Sequence, residues 1–270
     1  EPGRTAAFVS GDRELARRVA IELRRFGIEA DDSAGRPLSL TPPATLLRLA
    51  VEAALQPGDP VALVALLKHP LLRCGLARSE ARAAAETVDL VCFRGGTGRP
   101  TLADLGAHYD RRLRHIAEDR FRPFWLSRLS PADFDRARAL VVAIAAACAP
   151  LAELALANET DVATASIASV RALEALGREE SGGLAELYRG EAGADLAGFL
   201  RGLVAAQRGF SFMPQEWSAI LAALISGATV KPAAGADPRV AIWGALEARL
   251  QHVDTLVLGG LNEGSWPRRA

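Results

Sequence analysis

Apolar positions along the chain follow two different periods. At both ends they form short apolar runs, β-branched near the far end, and between the ends they recur three and four residues apart. Thr5–Val9 reads as a strand, Ser10-Gly11-Asp12 as a turn that supplies a helix cap, and Arg13–Phe26 as a helix. In that helix Leu15, Val19, Leu23 and Phe26 make one apolar stripe for a sheet to cover. Gly27 sits where a C-cap glycine belongs, and Ile28–Ala30 begins the next strand. Near the other end Val240–Trp243 and Thr255–Leu258 have the length and β-branched content of buried strands. The second run empties into Gly259-Gly260 and a polar turn closed by Gly264 and Pro267. A parallel strand delivers such a loop to the carboxyl edge of an α/β sheet, where ligands sit. A loop of this kind should feed a further element, so the expectation is a piece of a longer protein.

The middle reads as helical almost throughout. Helices are expected near 43–55, 60–68, 80–92, 101–118, 131–148, 151–157, 161–178, 183–189, 194–208 and 215–226. Thr41-Pro42, Asp59-Pro60, Ser79 and Ser130-Pro131 look like caps, three of them before a proline at the first helical position. Ser130 with Asp133 resembles a capping box. Gly227–Pro238, rich in Gly, Pro and Ala, reads as a linker back to the sheet. Neither end alone has enough strands for a stable sheet, so the two ends are expected to share one. The fold class is therefore α/β plus mostly α. A partial sheet is built from 1–42 and 236–270, discontinuous in sequence, with a large all-helical insertion over 43–235.

Composition narrows the picture only a little. Half of the 270 residues are apolar, which favours a packed core over disorder. The net charge is zero, so bulk charge gives no argument for nucleic-acid binding. Lys68 and Lys231 are the only lysines among 32 cations, and an arginine bias of this kind is an ordinary mark of genome composition. Cys74, Cys92 and Cys148 form no CxxC pair, which argues against a disulfide framework or a zinc site and fits a cytoplasmic setting. No signal peptide is visible. The longest apolar stretch, Ala137–Ala157, is broken by Arg138, Pro150 and Glu153 and reads as a buried helix pair, not as a membrane span.

Most familiar catalytic patterns are missing. There is no GxxxxGK[ST] phosphate loop; Gly95-Gly96-Thr97-Gly98-Arg99 lacks the lysine and follows a helix, so it reads as a loop. His69, His108, His115 and His252 are scattered without metal-ligand spacing and read as surface or packing residues. Asp31-Asp32 reads as the polar end of a strand. The run Arg111-Arg112-Leu113-Arg114-His115, followed by Arg120-Phe121-Arg122-Pro123-Phe124-Trp125, mixes cations with aromatic rings. Such a segment can track a phosphate backbone while its rings stack on bases, or it can be a solvated helix face beside an apolar anchor.

Two segments at the start, Thr5-Ala-Ala-Phe-Val-Ser-Gly-Asp-Arg-Glu-Leu-Ala-Arg-Arg-Val19 and Gly27-Ile-Glu-Ala-Asp-Asp-Ser-Ala-Gly-Arg-Pro-Leu38, resemble the second motor-like domain of the AddB family. AddB proteins are one subunit of the bacterial AddAB helicase-nuclease that processes DNA double-strand ends. Leu66-Leu67-Lys68-His69-Pro70-Leu71 is similar to that family's helical insertion. Gly244-Ala-Leu-Glu-Ala-Arg249 and Gly260-Leu-Asn-Glu-Gly-Ser-Trp-Pro267 look like its return strands. The wider relatives are UvrD-like superfamily 1 helicases, whose returning strand carries Thr-x-His-x-x-Lys-Gly-Leu-Glu. Here the matching stretch, Val240-Ala-Ile-Trp-Gly-Ala-Leu-Glu247, keeps Leu246 and Glu247 but has no counterpart of the threonine and histidine, and Trp243-Gly244 replaces the lysine region.

The resemblance implies a partial RecA-like sheet, of the P-loop NTPase type, carrying a 2B-like helical subdomain. It implies a scaffolding and DNA-routing role in double-strand break repair and recombination, with no catalysis by this segment and no cofactor within it. ATP with magnesium and an iron–sulfur cluster would belong to other parts of such a protein. The implied partners are single-stranded or forked DNA ends and an AddA-like helicase-nuclease subunit, with no membrane. Candidate DNA contacts are Arg13, Arg111, Arg114 and Arg122; candidate motif-loop residues are Glu247, Gly260, Asn262, Glu263 and Gly264. An active superfamily 1 helicase and a helical protein-interaction module without a nucleic-acid role remain as alternatives.

Overall fold

The computed structural model describes residues 3–32, 35–56, 60–95, 98–118, 123–206, 209–230 and 237–262. The chain divides into two compact units: 1–37 with 229–270, and 38–228.

The first unit is a parallel sheet with one helix. Its elements are β1 (Ala6–Ser10), α1 (Arg13–Arg25), β2 (Ala30–Asp32) and β3 (Arg36–Pro37), then β6 (Thr229–Val230), β7 (Asp237–Trp243) and β8 (Thr255–Gly259). Strand order is β2-β7-β1-β8, all parallel, so the two returning strands flank the first one. β3 and β6 form a separate antiparallel pair. The register of β1 on β8 is fixed at its start, where the Thr5 amide and hydroxyl both donate to Asp254 Oδ2, at 2.8 and 3.0 Å. These bonds hold the Asp254 carboxyl below its ordinary pKa.

α1 lays its stripe on this sheet. Its own Ala16 is buried against Ala30 and Ile242 of the sheet, with Phe8, Val19, Ala20, Leu23 and Val240 packed around them. The helix ends in a Schellman motif: Ile28 N–H donates to Leu23 O and Gly27 N–H to Arg24 O, with Gly27 at φ 73°. Gly259 is required by contact, because a Cβ there would lie 2.3 Å from Phe8 Cζ.

The second unit holds α2 (Pro42–Leu55), α3 (Pro60–Leu67), α4 (Arg78–Cys92), α5 (Leu105–Glu118), α6 (Phe124–Ser127), α7 (Pro131–Ala147), α8 (Ala149–Ala155), α9 (Val162–Gly177), α10 (Gly190–Val204) and α11 (Trp217–Ser226). α2 is its centre, with nine buried residues and neighbours in α3, α8, α9, α10 and α11. Trp217 is fully buried, stacks on Phe212 at 5.8 Å and donates from Nε1 to Ser169 Oγ at 2.9 Å.

Several expectations needed correction in this unit. It is not all helical, because β4 (Thr160–Asp161) pairs antiparallel with β5 (Ser211–Phe212). Residues 183–189 make turns and no helix. Thr41 precedes Pro42 as expected but caps nothing; its hydroxyl donates back to Leu38 O at 2.7 Å. α4 starts before Ser79, with Ala77 at its N-cap. Asp59 lies outside the described residues. Ser130 and Asp133 do form the capping box. α7 and α8 are separate helices bent by 51°, and no single helix among the described residues is long and apolar enough to cross a membrane.

Candidate nucleic-acid interface

The site is built where α5 crosses the end of α4. A helix leaves its last four carbonyls without intrahelical partners, and cations near that end meet its partial negative charge. Here Arg112 Nε donates to Val91 O at 3.3 Å, and His108 Nε2 faces Cys92 O at the same distance. A carbonyl only accepts, so His108 carries its proton on Nε2. Burial lowers the pKa of His108, against the hydrogen bond to Cys92, and the charges of Arg111 and Arg112 lower it further. It is therefore neutral at pH 7. These two contacts tie α5 to the end of α4, and His108, Arg111, Arg112 and His115 fall on one face at i, i+3, i+4 and i+7, His108 buried and Arg111 and His115 exposed.

That face lines a cleft of about 520 Å³ together with Gly98, Arg99, Pro100 and Asp104. Gly98 has φ 103°, a left-handed value that glycine adopts without strain, and it turns the chain so that Arg99 reaches the cleft. Asp104, the one carboxylate among the described residues of the lining, exchanges hydrogen bonds with Thr101: the Thr101 hydroxyl donates to Asp104 Oδ2 at 2.8 Å and the Asp104 amide donates back at 3.2 Å. Arg99, Arg111 and His115 make no hydrogen bond or ion pair with any described residue. Among the described residues the Arg99 and Arg111 guanidiniums thus have no counter-ion, and their donors suit an anion rich in acceptors.

The sequence-predicted residues separate on inspection. Arg111 lines the cleft; Arg114 is exposed on the same helix but lies about 60° further around it, outside the lining. Arg122, Glu263 and Gly264 lie outside the described residues. Arg13 belongs to the other unit and stands 3.9 Å from Asp32. Arg112 and His115 fall in the basic run read from the sequence but not among its named contacts, while Arg99 was read as part of a loop and His108 as a surface or packing residue. The helical spacing on α5 signals three of them; Arg99 is brought in by the glycine loop.

At the carboxyl edge of the sheet the polar groups are turned inward. Glu247 Oε2 accepts from Gly244 N–H at 2.8 Å. Gly260, at φ 72°, sits where a Cβ would come within 3.1 Å of Ser10 Oγ. Asn262 also has a partner within the fold. The N-terminus of α1, a natural anion site, is filled by its own cap: Asp12 Oδ1 accepts from the Glu14 and Leu15 amides, at 2.9 and 3.1 Å. Among the described residues of this edge, a phosphate at the start of α1 would have to displace the Asp12 carboxylate.

The remaining titratable groups of the helical unit are structural. Asp89 is nearly buried between Lys68 Nζ at 2.9 Å and Arg94 at 3.1 Å; burial raises its pKa, but the two cations outweigh it and the net shift is downward. Burial drives His69 down to about 4, against a backbone hydrogen bond with Pro42, and its Nδ1 accepts from Leu71 N–H at 3.2 Å. Burial pushes the Cys74, Cys92 and Cys148 thiols up to about 12, which makes them poor nucleophiles. No cluster of three His, Cys, Asp or Glu able to hold a metal occurs among the described residues. No family model and no curated protein matches this sequence.

Proposed function

We propose that this chain is the DNA-contacting and scaffolding part of a DNA-end-processing protein of the AddB kind, acting in double-strand break repair without catalysis of its own. The observation that carries the reading is the cleft on α5, where Arg99 and Arg111 have no ion-pair partner among the described residues and stand beside Arg112. Phosphate oxygens are acceptors only, and arginine forks match them in geometry as well as charge. The sheet gives secondary support, since a strand pair returning around β1 after a helical insertion is the arrangement the resemblance implies. In this reading the sheet is a RecA-like frame that holds the helical unit within a larger assembly. The partner is an AddA-like helicase-nuclease subunit, and ATP with magnesium and any iron–sulfur cluster act elsewhere in that assembly.

The test is binding of the 270-residue chain to single-stranded and forked DNA across a salt series. The expected result is binding at low salt that weakens as a power of salt concentration, the signature of counterion release. Replacing Arg111 by Ala should lower affinity for all sequences alike and reduce the logarithmic salt slope by about one. No binding at low salt sinks the reading.

A further inference from the structure

A second cavity, of about 230 Å³, lies on the other side of Arg112 and His115, which line both. Leu90, Ile116, Leu126 and Pro123 make apolar walls, and the Trp125 ring joins them, held edge-on against Phe124 with centroids 5.6 Å apart. Arg94, which also lines this cavity, is paired with Asp89. Both cavities mix polar and apolar walls, and what sets the smaller box apart, among the described residues, is the indole of Trp125 with the apolar side chains around it.

Size limits what the box can hold. Sites for drug-sized ligands start at about 300 Å³, so this one suits a single flat ring system. A planar group that must lie beside a phosphate, with only a shared wall between them, describes one nucleotide. We propose that the two cavities together hold one unpaired nucleotide, its base in the smaller cavity against Trp125 and its phosphate in the larger on Arg99 and Arg111. The inference rests on the nucleic-acid reading of this face and adds to it a means of telling an unpaired strand from a duplex. A base held in a stack cannot enter a lateral box without leaving its partner, and that unpairing carries an energetic cost. Stacking on an aromatic ring tolerates any base, so the selection is for strandedness and not for sequence.

The experiment compares three labelled ligands by fluorescence anisotropy with the whole chain: an oligothymidylate, the same strand with abasic sites, and a duplex of equal length. The oligothymidylate and the abasic strand carry the same phosphates and differ in bases alone. The normal strand should bind roughly tenfold more tightly than the abasic one, within the range that stacking on one aromatic ring supplies. Trp125→Ala should remove that gap and leave the salt slope unchanged, and Trp125→Phe, which keeps a stacking face, should retain most of it. Arg111→Ala should weaken both strands together. Equal binding of normal and abasic strands, or a gap that survives Trp125→Ala in a folded protein, overturns the base cavity while the DNA reading stands. Failure of all three ligands to bind at low salt removes both.

Discussion

The helical unit and the sheet unit handle their polar groups in opposite ways. Around β7 and β8 the polar residues face inward on their own backbone: Glu247 holds Gly244, Asp254 clamps Thr5 and Asp12 caps α1. On α5 of the helical unit only two of the four polar residues on the face are tied down, by the carbonyls of Val91 and Cys92, while Arg111 and His115 look onto an open cleft. The cores differ too. The helical unit buries Trp217, Tyr109 and a set of leucines completely, whereas the cluster under α1 is built on Ala16, Ala30 and Ile242. β8 leaves Leu256, Val257 and Leu258 about half exposed. A large core lets a unit carry groups that stabilise nothing, and such groups are where a function can reside. The sheet has the shape of a ligand-binding edge, but its chemistry maintains the fold.

The largest effect should come from the core that makes this contrast. Trp217→Ala removes a fully buried indole, its stack on Phe212 and its bond to Ser169, and should destabilise the helical unit by about 3–5 kcal/mol. Urea denaturation followed by hydrogen exchange reads the two units separately. Protection should fall across α2, α9 and α11 while β1 and β7 keep theirs. Equal loss in both units would mean that they unfold as one and would break the comparison.

Acid should act on the helical unit next. His69 titrates near 4 in the folded protein, against 6.5 in the unfolded chain. Between those values the unfolded chain holds the proton and the folded one does not, so stability is complete above pH 6.5 and declines as pH falls toward 4. The loss amounts to about 3 kcal/mol. His108, also lowered by burial, acts in the same direction. Asp89 adds a further loss only at lower pH, once its carboxylate takes up a proton between Lys68 and Arg94. Stability measured against pH checks this, and His69→Gln, although less stable at pH 7, should show a shallower decline.

Much of the fold is visible in local pattern. β1, β7 and β8 hold short apolar runs, Gly27 closes α1, and the Ser130–Asp133 box starts α7; each depends on residues within one turn or strand. What local pattern misses is set by distant contacts. Residues 183–189 have helix-like apolar spacing, but Leu187 is buried against Gly177, where a Cβ would lie 3.2 Å from it, and the segment stays a set of turns. The β4–β5 pair is two residues long and carries no readable period. The candidate site was half legible for the same reason. A run of arginines marks α5, but which of them is neutralised depends on Asp110, Asp104 and the end of α4, and Asp110 in fact pairs with Arg138.

The smallest effect is the sharpest test of where function lies. Glu247→Gln keeps a side-chain oxygen for the Gly244 amide but weakens a charge-assisted bond at an exposed turn, a change of about 1 kcal/mol or less. Arg13→Ala removes a cation that stands 3.9 Å from Asp32 in the open, where ion pairs contribute about 0–1 kcal/mol. Neither change touches the α5 cleft, so each should alter DNA affinity less than Arg111→Ala does at every salt concentration. Since Arg13 and Arg111 carry the same charge, net charge cannot explain a difference between their alanine variants. Equal losses from the two would mean that DNA reads the chain's summed charge and that the cleft has no special part; a loss from Glu247→Gln, which removes a negative charge, would return the sheet's carboxyl edge to the list of functional surfaces.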